Sequence, residues 1–181
     1  MNSDIPRLRM FAGPNGSGKS TLKTIIRPEL LGVYINPDEI EKKIKESDFL
    51  DLSSYGVSPT AEEVLGFFHK SLLLQKAQSK GYRTYLYYVA TEDPSINIAR
   101  VHYRVSRGGH SVPKDKIVSR YHRSLDLLSD AVRATHRAYI FDNSADEYLW
   151  LAEITNGRTL EMKTNTTPEW FKKSLLDKFH H

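Results

Sequence analysis

Cysteine is absent from this 181-residue chain, which rules out disulfides, thiolate nucleophiles and cysteine metal sites at once. Also missing is any apolar run near the roughly 18 residues that a membrane-crossing helix needs. The polar opening Met1-Asn2-Ser3-Asp4 has neither the basic nor the apolar region of a secretory signal, so the expected address is the cytoplasm, with no membrane association. No internal repeat occurs, and no segment is biased enough to read as disordered. The length suits one domain, 1–181, with a real hydrophobic core. A formal charge of +4 favours anionic partners such as nucleotides, phosphorylated sugars or nucleic acid, and by itself chooses none.

One pattern does choose. Gly13-Pro14-Asn15-Gly16-Ser17-Gly18-Lys19-Ser20, followed by Thr21, fits G-x-x-x-x-G-K-[ST], the phosphate-binding loop. Its flanks supply the context: Leu8-Arg9-Met10-Phe11-Ala12 reads as a buried strand, and Thr21 to Ile26 continues as a helix until Pro28. The glycines let the backbone turn so that N–H groups can face phosphate oxygens, and the helix start adds its positive dipole end. In this pattern Lys19 reaches the β/γ-phosphates of a bound nucleotide and the Ser20 hydroxyl ligates Mg²⁺.

Downstream, Gly32 to Asn36 is a strand candidate, ended by Asn36-Pro37-Asp38-Glu39 and followed by a helix to about Lys45. A carboxylate at that strand end, Asp38, can face the ligand crevice of an α/β fold and act as general base, or can simply cap the helix. Ser58-Pro59 starts another helix whose Val64, Leu65, Phe67, Phe68, Leu72 and Leu73 form an apolar face. His69, amid them, is read as structural, since no second ligand stands at metal spacing. Tyr82 to Ala90 is dense in β-formers, and Asp93-Pro94 caps a helix that runs to about Arg107.

On that helix Arg100, Arg104 and Arg107 share a face. After Val112-Pro113 a second helix repeats the spacing with Lys116, Arg120 and Arg123, and shows an apolar side of Ile117, Tyr121, Leu125 and Leu128. Between Asn97 and Arg137 nine Lys/Arg stand against three Asp, an imbalance that suits a helical lid, about 95–130, closing over phosphates. Nucleic acid is disfavoured as the anion, because no recognition module is evident. Arg137 to Ser144 is a strand with a polar tip, where Asn143 either contacts adenine or serves a turn. Thr155-Asn156-Gly157 between Tyr148 to Ile154 and Arg158 to Lys163 signals a hairpin, and Thr167-Pro168 starts a short helix that packs through Trp170, Phe171, Leu175 and Phe179. Hairpin and helix together occupy about 147–179.

Asn36-Pro37-Asp38-Glu39-Ile40, Tyr85 to Pro94, Arg107-Gly108-Gly109-His110-Ser111-Val112-Pro113, Ser119-Arg120-Tyr121-His122-Arg123-Ser124-Leu125 and Ile140-Phe141-Asp142-Asn143-Ser144 resemble the zeta-toxin-like P-loop kinases. The resembling branch is the one labelled "predicted ABC-type ATPase", and the similarity runs from Leu8 to Ser144. The resemblance implies a nucleoside-monophosphate-kinase-like, three-layer α/β P-loop NTPase domain. It also implies transfer of the ATP γ-phosphate to a hydroxyl of a nucleotide-sugar such as UDP-N-acetylglucosamine, or of another small phosphorylated acceptor. Asp38 falls at the family's general base, Arg100 and Arg107 match its catalytic lid arginines, and Arg104 and Arg120 follow as nucleotide-binding candidates. An antitoxin protein is an implied partner.

One departure stands out. The strand ending in a Glu-Thr-type motif, which helps bind the sugar-nucleotide in that family, has no counterpart in the 42 residues between Asp38 and Gly81. The alternative expectation is therefore a shortened nucleotide-binding relative with weak or no phosphotransfer, acting as an ATPase or an interaction module. A transporter-type ATPase is excluded, since no Leu-Ser-Gly-Gly-Gln-type signature and no apolar strand ending in Asp-Glu occur.

Overall fold

A computed structural model describes residues 5–31 and 70–179. The expected strand at 32–36, Asp38 with its helix, most of the helix from Ser58, His69 and the interval expected to lack a strand all lie outside the described residues, wholly or in large part.

The chain begins with β1 (Arg7–Ala12), the phosphate-loop stretch and α1 (Lys19–Ile25). The helix ends at Ile26, whose extended backbone leads to a 3-10 turn at Pro28–Leu30. Next come α2 (Lys70–Ser79), β2 (Arg83–Ala90) and α3 (Pro94–Ser106). Asp93 caps α3 by accepting from the Ser95 amide at 2.6 Å, with Pro94 at the first helical position, as its sequence signals. α4 (Lys114–Asp126) and α5 (Leu128–Arg133) follow, a break at Leu127 dividing what the periodicity reads as one helix. β3 (Arg137–Asp142), β4 (Leu149–Thr155) and β5 (Thr159–Met162) complete the sheet. Asn156 and Gly157 both carry positive φ, 53° and 61°, as the tight β4–β5 hairpin turn requires.

The five strands among the described residues lie in sequence order, β1 to β3 parallel and β4 and β5 antiparallel to their predecessors. Parallel neighbours need helical crossovers, and α2 and the α3–α5 run precede β2 and β3 accordingly. Alternation along β2 sends Thr84, Leu86 and Tyr88 into the core. There Leu86 and Tyr88 meet Tyr121, Leu125, Leu128 and Val132 from α4 and α5, and Ile140, Leu151 and Ile154 from the neighbouring strands. Ile117, Tyr121, Leu125 and Leu128 are all buried, as the apolar side read from the sequence requires.

The C-terminal helix α6 spans 169–179 and is locally π-helical over Lys172–Leu176. It seals the core with Trp170, Phe171 and Leu175, and Phe179 packs at the margin. A Phe171 side chain with no exposed surface contributes about 1.5–3 kcal/mol by burial alone. The fold class is α/β, as expected. Among the described residues no helix is long and apolar enough to cross a membrane.

Candidate phosphate-binding site

Phosphate-binding loops need backbone shapes that side chains forbid, and the stretch 13–20 has them. Gly13 stands at φ 139°, where a Cβ would come within 2.0 Å of the Val89 carbonyl oxygen at the end of β2. Gly18, which precedes α1, has φ 96°, and its Cβ would meet Asn143 Nδ2 at 2.3 Å and the Tyr148 hydroxyl at 2.7 Å. Only glycine fits both conformation and space. Among the described residues the amides of Asn15, Gly16, Gly18 and Ser20 donate to no protein acceptor. A row of undirected N–H groups in a loop opening a helix is the donor set that a phosphate chain satisfies. Lys19 lies against the same loop, its Nζ donating to the Gly13 and Pro14 carbonyls at 2.8 and 2.7 Å.

Three walls hold the loop. From α3, the buried Asn97 donates through Nδ2 to the Asn15 carbonyl at 2.7 Å, while its Oδ1 accepts from the Thr91 hydroxyl. The tip of β3 supplies Asn143, whose Nδ2 donates to the Ser17 carbonyl at 2.8 Å and whose amide returns to the Ala90 carbonyl. Tyr148 donates to the Gly18 carbonyl at 2.7 Å. Partial burial raises the Tyr148 phenol above its ordinary value, so it stays protonated and remains a donor at neutral pH. Burial likewise pushes up the Tyr121 phenol, helped by Glu92, and that hydroxyl donates to the Thr91 and Glu92 carbonyls behind the loop.

The basic residues divide into two groups. Arg100 belongs to the loop's wall, donating to the Asn143 carbonyl at 2.7 Å and the Ala145 carbonyl at 3.3 Å. Arg107 sits about 15 Å from Asn97 along α3 at helical rise, its guanidinium carbon 4.8 Å from the exposed Tyr103 ring. Arg104 donates to the His110 carbonyl at 3.0 Å, and Arg120 is exposed on α4. The first turns of the helix expected as a lid are thus bonded to the phosphate loop, and its far end carries Arg104 and Arg107 into solvent.

Ser20 and Thr21 are exposed at the start of α1. Among the described residues no group of three or more His, Asp or Glu could hold a metal. Among the described residues a divalent cation would draw on the Ser20 hydroxyl and on the phosphates themselves, oxygen donors that suit Mg²⁺. Sequence reasoning missed Asn97 and Tyr148, and for Asn143 it offered a turn role or an adenine contact without the bond to the Ser17 carbonyl. Asn97 did leave a trace, being three residues before Arg100 and so on the same helical face.

No family model matches the chain. Over 132 residues, 61% of this chain and 89% of the relative, it is 26% identical to an uncharacterized protein of Haemophilus influenzae strain Rd. Among solved structures it is similar to the AvrRxo1-ORF1:AvrRxo1-ORF2 complex crystallised with ATP, at TM-score 0.63 and 15% identity over 98% of this chain and 64% of that one. The same complex with sulphate ions matches at 0.60 and 13%, over 90% of this chain and 62% of that one. The chain thus spans a little under two thirds of those AvrRxo1 chains. At such identities the likeness concerns architecture, and the architecture shared is an α/β fold.

Proposed function

We propose that this chain binds Mg-ATP and is a small-molecule kinase of the zeta-toxin type. The observation that carries the reading is the glycine-forced loop with unsatisfied amides and Lys19 at its mouth. ATP in the crystallised AvrRxo1 complex supports the choice of nucleotide. In this reading the loop amides and Lys19 hold the phosphate chain, with Arg104, Arg107 and Arg120 as its further contacts from α3 and α4. The Ser20 hydroxyl would hold Mg²⁺, which when bound would supply charge neutralisation to the phosphates. Asp38 takes the proton of the acceptor hydroxyl, and the acceptor class is a nucleotide-sugar or a similarly phosphorylated small molecule. A regulatory protein partner is part of the proposal, supported by the two-chain AvrRxo1 complex.

The test is a thermal-shift titration followed by a transfer assay. Mg-ATP at about 100 times its dissociation constant should add roughly 2.7 kcal/mol of stability, and Lys19→Ala should remove most of it. No stabilisation of the wild-type chain by any Mg-nucleotide sinks the assignment. With labelled ATP and candidate acceptors, Asp38→Asn should cut transfer by about 10²–10⁴-fold at nearly unchanged ATP affinity. Transfer that survives the substitution removes Asp38 from the chemistry.

A further inference from the structure

A buried indole meets a buried carboxylate at the tip of β3. Trp170 Nε1 donates to Asp142 Oδ2 at 2.7 Å, and both residues are at least 93% enclosed, at 4% and 7% exposure. The same carboxylate accepts from the Ser144 amide at 2.8 Å and the Ser144 hydroxyl at 3.0 Å, folding 142–144 into a tight turn. Between these anchors stands Asn143, whose side chain holds the Ser17 carbonyl and fills the space that a Cβ on Gly18 would need. A second tie closes a ring: the Glu92 amide donates to Ser144 Oγ at 2.7 Å, and Glu92 Oε1 accepts from the Glu169 amide at 3.2 Å. The first turn of α6 is thus bonded twice to the turn that shapes the phosphate loop.

Filling the core does not require that N–H. The Trp170 ring packs on Tyr88 and Phe171 at centroid distances of 6.2 and 5.8 Å, contacts that a phenyl ring makes as well. The indole N–H is spent on Asp142 alone. We propose that Trp170 is a positioning residue for the phosphate-binding loop, acting through Asp142 and Asn143, so that docking of α6 sets nucleotide affinity. The proposal rests on that loop binding a nucleotide phosphate chain.

Trp170→Phe removes the donor and keeps most of the volume. Calorimetry well below the unfolding temperature should give about fivefold to tenfold weaker Mg-ATP binding, from a lost hydrogen bond to a buried carboxylate. In an Asn143→Ala background the same change should cost nothing further, because its route is already cut. Hydrogen exchange over 13–20, measured without nucleotide, should rise in Trp170→Phe. Leu175→Ala, a core change on the same helix outside the ring, should lower the melting temperature and leave affinity and loop exchange unchanged. If Trp170→Phe fails to fold, Asp142→Asn opens the same ring from the other side and should show the same loop exchange.

Affinity within twofold of wild type together with unchanged loop exchange overturns the proposal and leaves Trp170 a packing residue. Full additivity in the double variant also overturns it. A wild-type chain that binds no nucleotide refutes the nucleotide reading alone, since loop exchange still decides whether Trp170 positions the loop.

Discussion

At Gly18 conformation and crowding coincide. The residue holds φ 96° with an amide nitrogen and a phenol oxygen where a side chain would begin. Gly108, after α3, has a comparable φ of 85° but nothing within 4 Å of its absent Cβ. Gly108→Ala should therefore cost only left-handed strain, about 1 kcal/mol. Gly18→Ala adds the displacement of Asn143 and Tyr148 and should cost roughly 2–4 kcal/mol as the two penalties sum. Urea denaturation of both variants separates the contributions. Equal midpoints would mean that Asn143 and Tyr148 give way freely, so that they do not wall the loop. The loop itself was legible from sequence because its motif names each residue. Its walls were not, since Asn97, Asn143 and Tyr148 come from distant elements and meet it only through the topology.

At the scale of the element, α3 shows how a helix can be read correctly and its duty half missed. Asp93-Pro94 marked its start and Gly108 its end, and the observed span Pro94–Ser106 agrees. The arginine stripe suggested a lid, yet the buried Asn97 bonds the Asn15 carbonyl, Arg100 bonds the Asn143 and Ala145 carbonyls beside it, and only the far end of the stripe, at Arg104 and Arg107, is exposed. Periodicity records which residues share a face, not whether that face meets solvent or backbone. Asn97→Ala should leave the Asn15 carbonyl and the Thr91 hydroxyl short of partners and cost about 1–3 kcal/mol, at any pH where the protein folds.

The cap of the same helix behaves otherwise. Hydrogen bonds from Ser95 hold the Asp93 carboxyl below its ordinary value of 3.8. A depressed folded value stabilises fully above the unfolded one and fades as pH falls through the folded one. The melting difference between wild type and Asp93→Ala should therefore stay constant from neutral pH to about 4 and shrink in stronger acid. A difference that grows on acidification would contradict the capping role.

For the whole molecule, the question is which face of the sheet carries its stability. One face carries the core, where α4, α5 and α6 meet β2, β3 and β4 and where Phe171 has no exposed surface. Elsewhere on the sheet runs an aromatic row in which Phe11, Tyr87 and Tyr139 stack at 5.2 and 4.9 Å, and Trp150 closes it at 39% exposure. These rings stack across β1, β2 and β3. Alternation alone could not tell the buried set from the half-buried one, because β2 is apolar or aromatic at nearly every position. Truncation can. Phe171→Ala leaves a cavity that the surrounding core cannot fill and should cost about 3–5 kcal/mol, a large share of the roughly 5–15 kcal/mol typical of a domain. Trp150→Ala removes a larger ring that already touches water and should cost no more than about 2 kcal/mol. Both should shift the urea midpoint at unchanged slope, since one cluster joins the described strands to α4, α5 and α6. Equal losses would mean that the aromatic row is packed as tightly as the core. A changed slope for Phe171→Ala would show α6 unfolding apart from the sheet, and the ring from Trp170 to Asp142 would then open before the phosphate loop does.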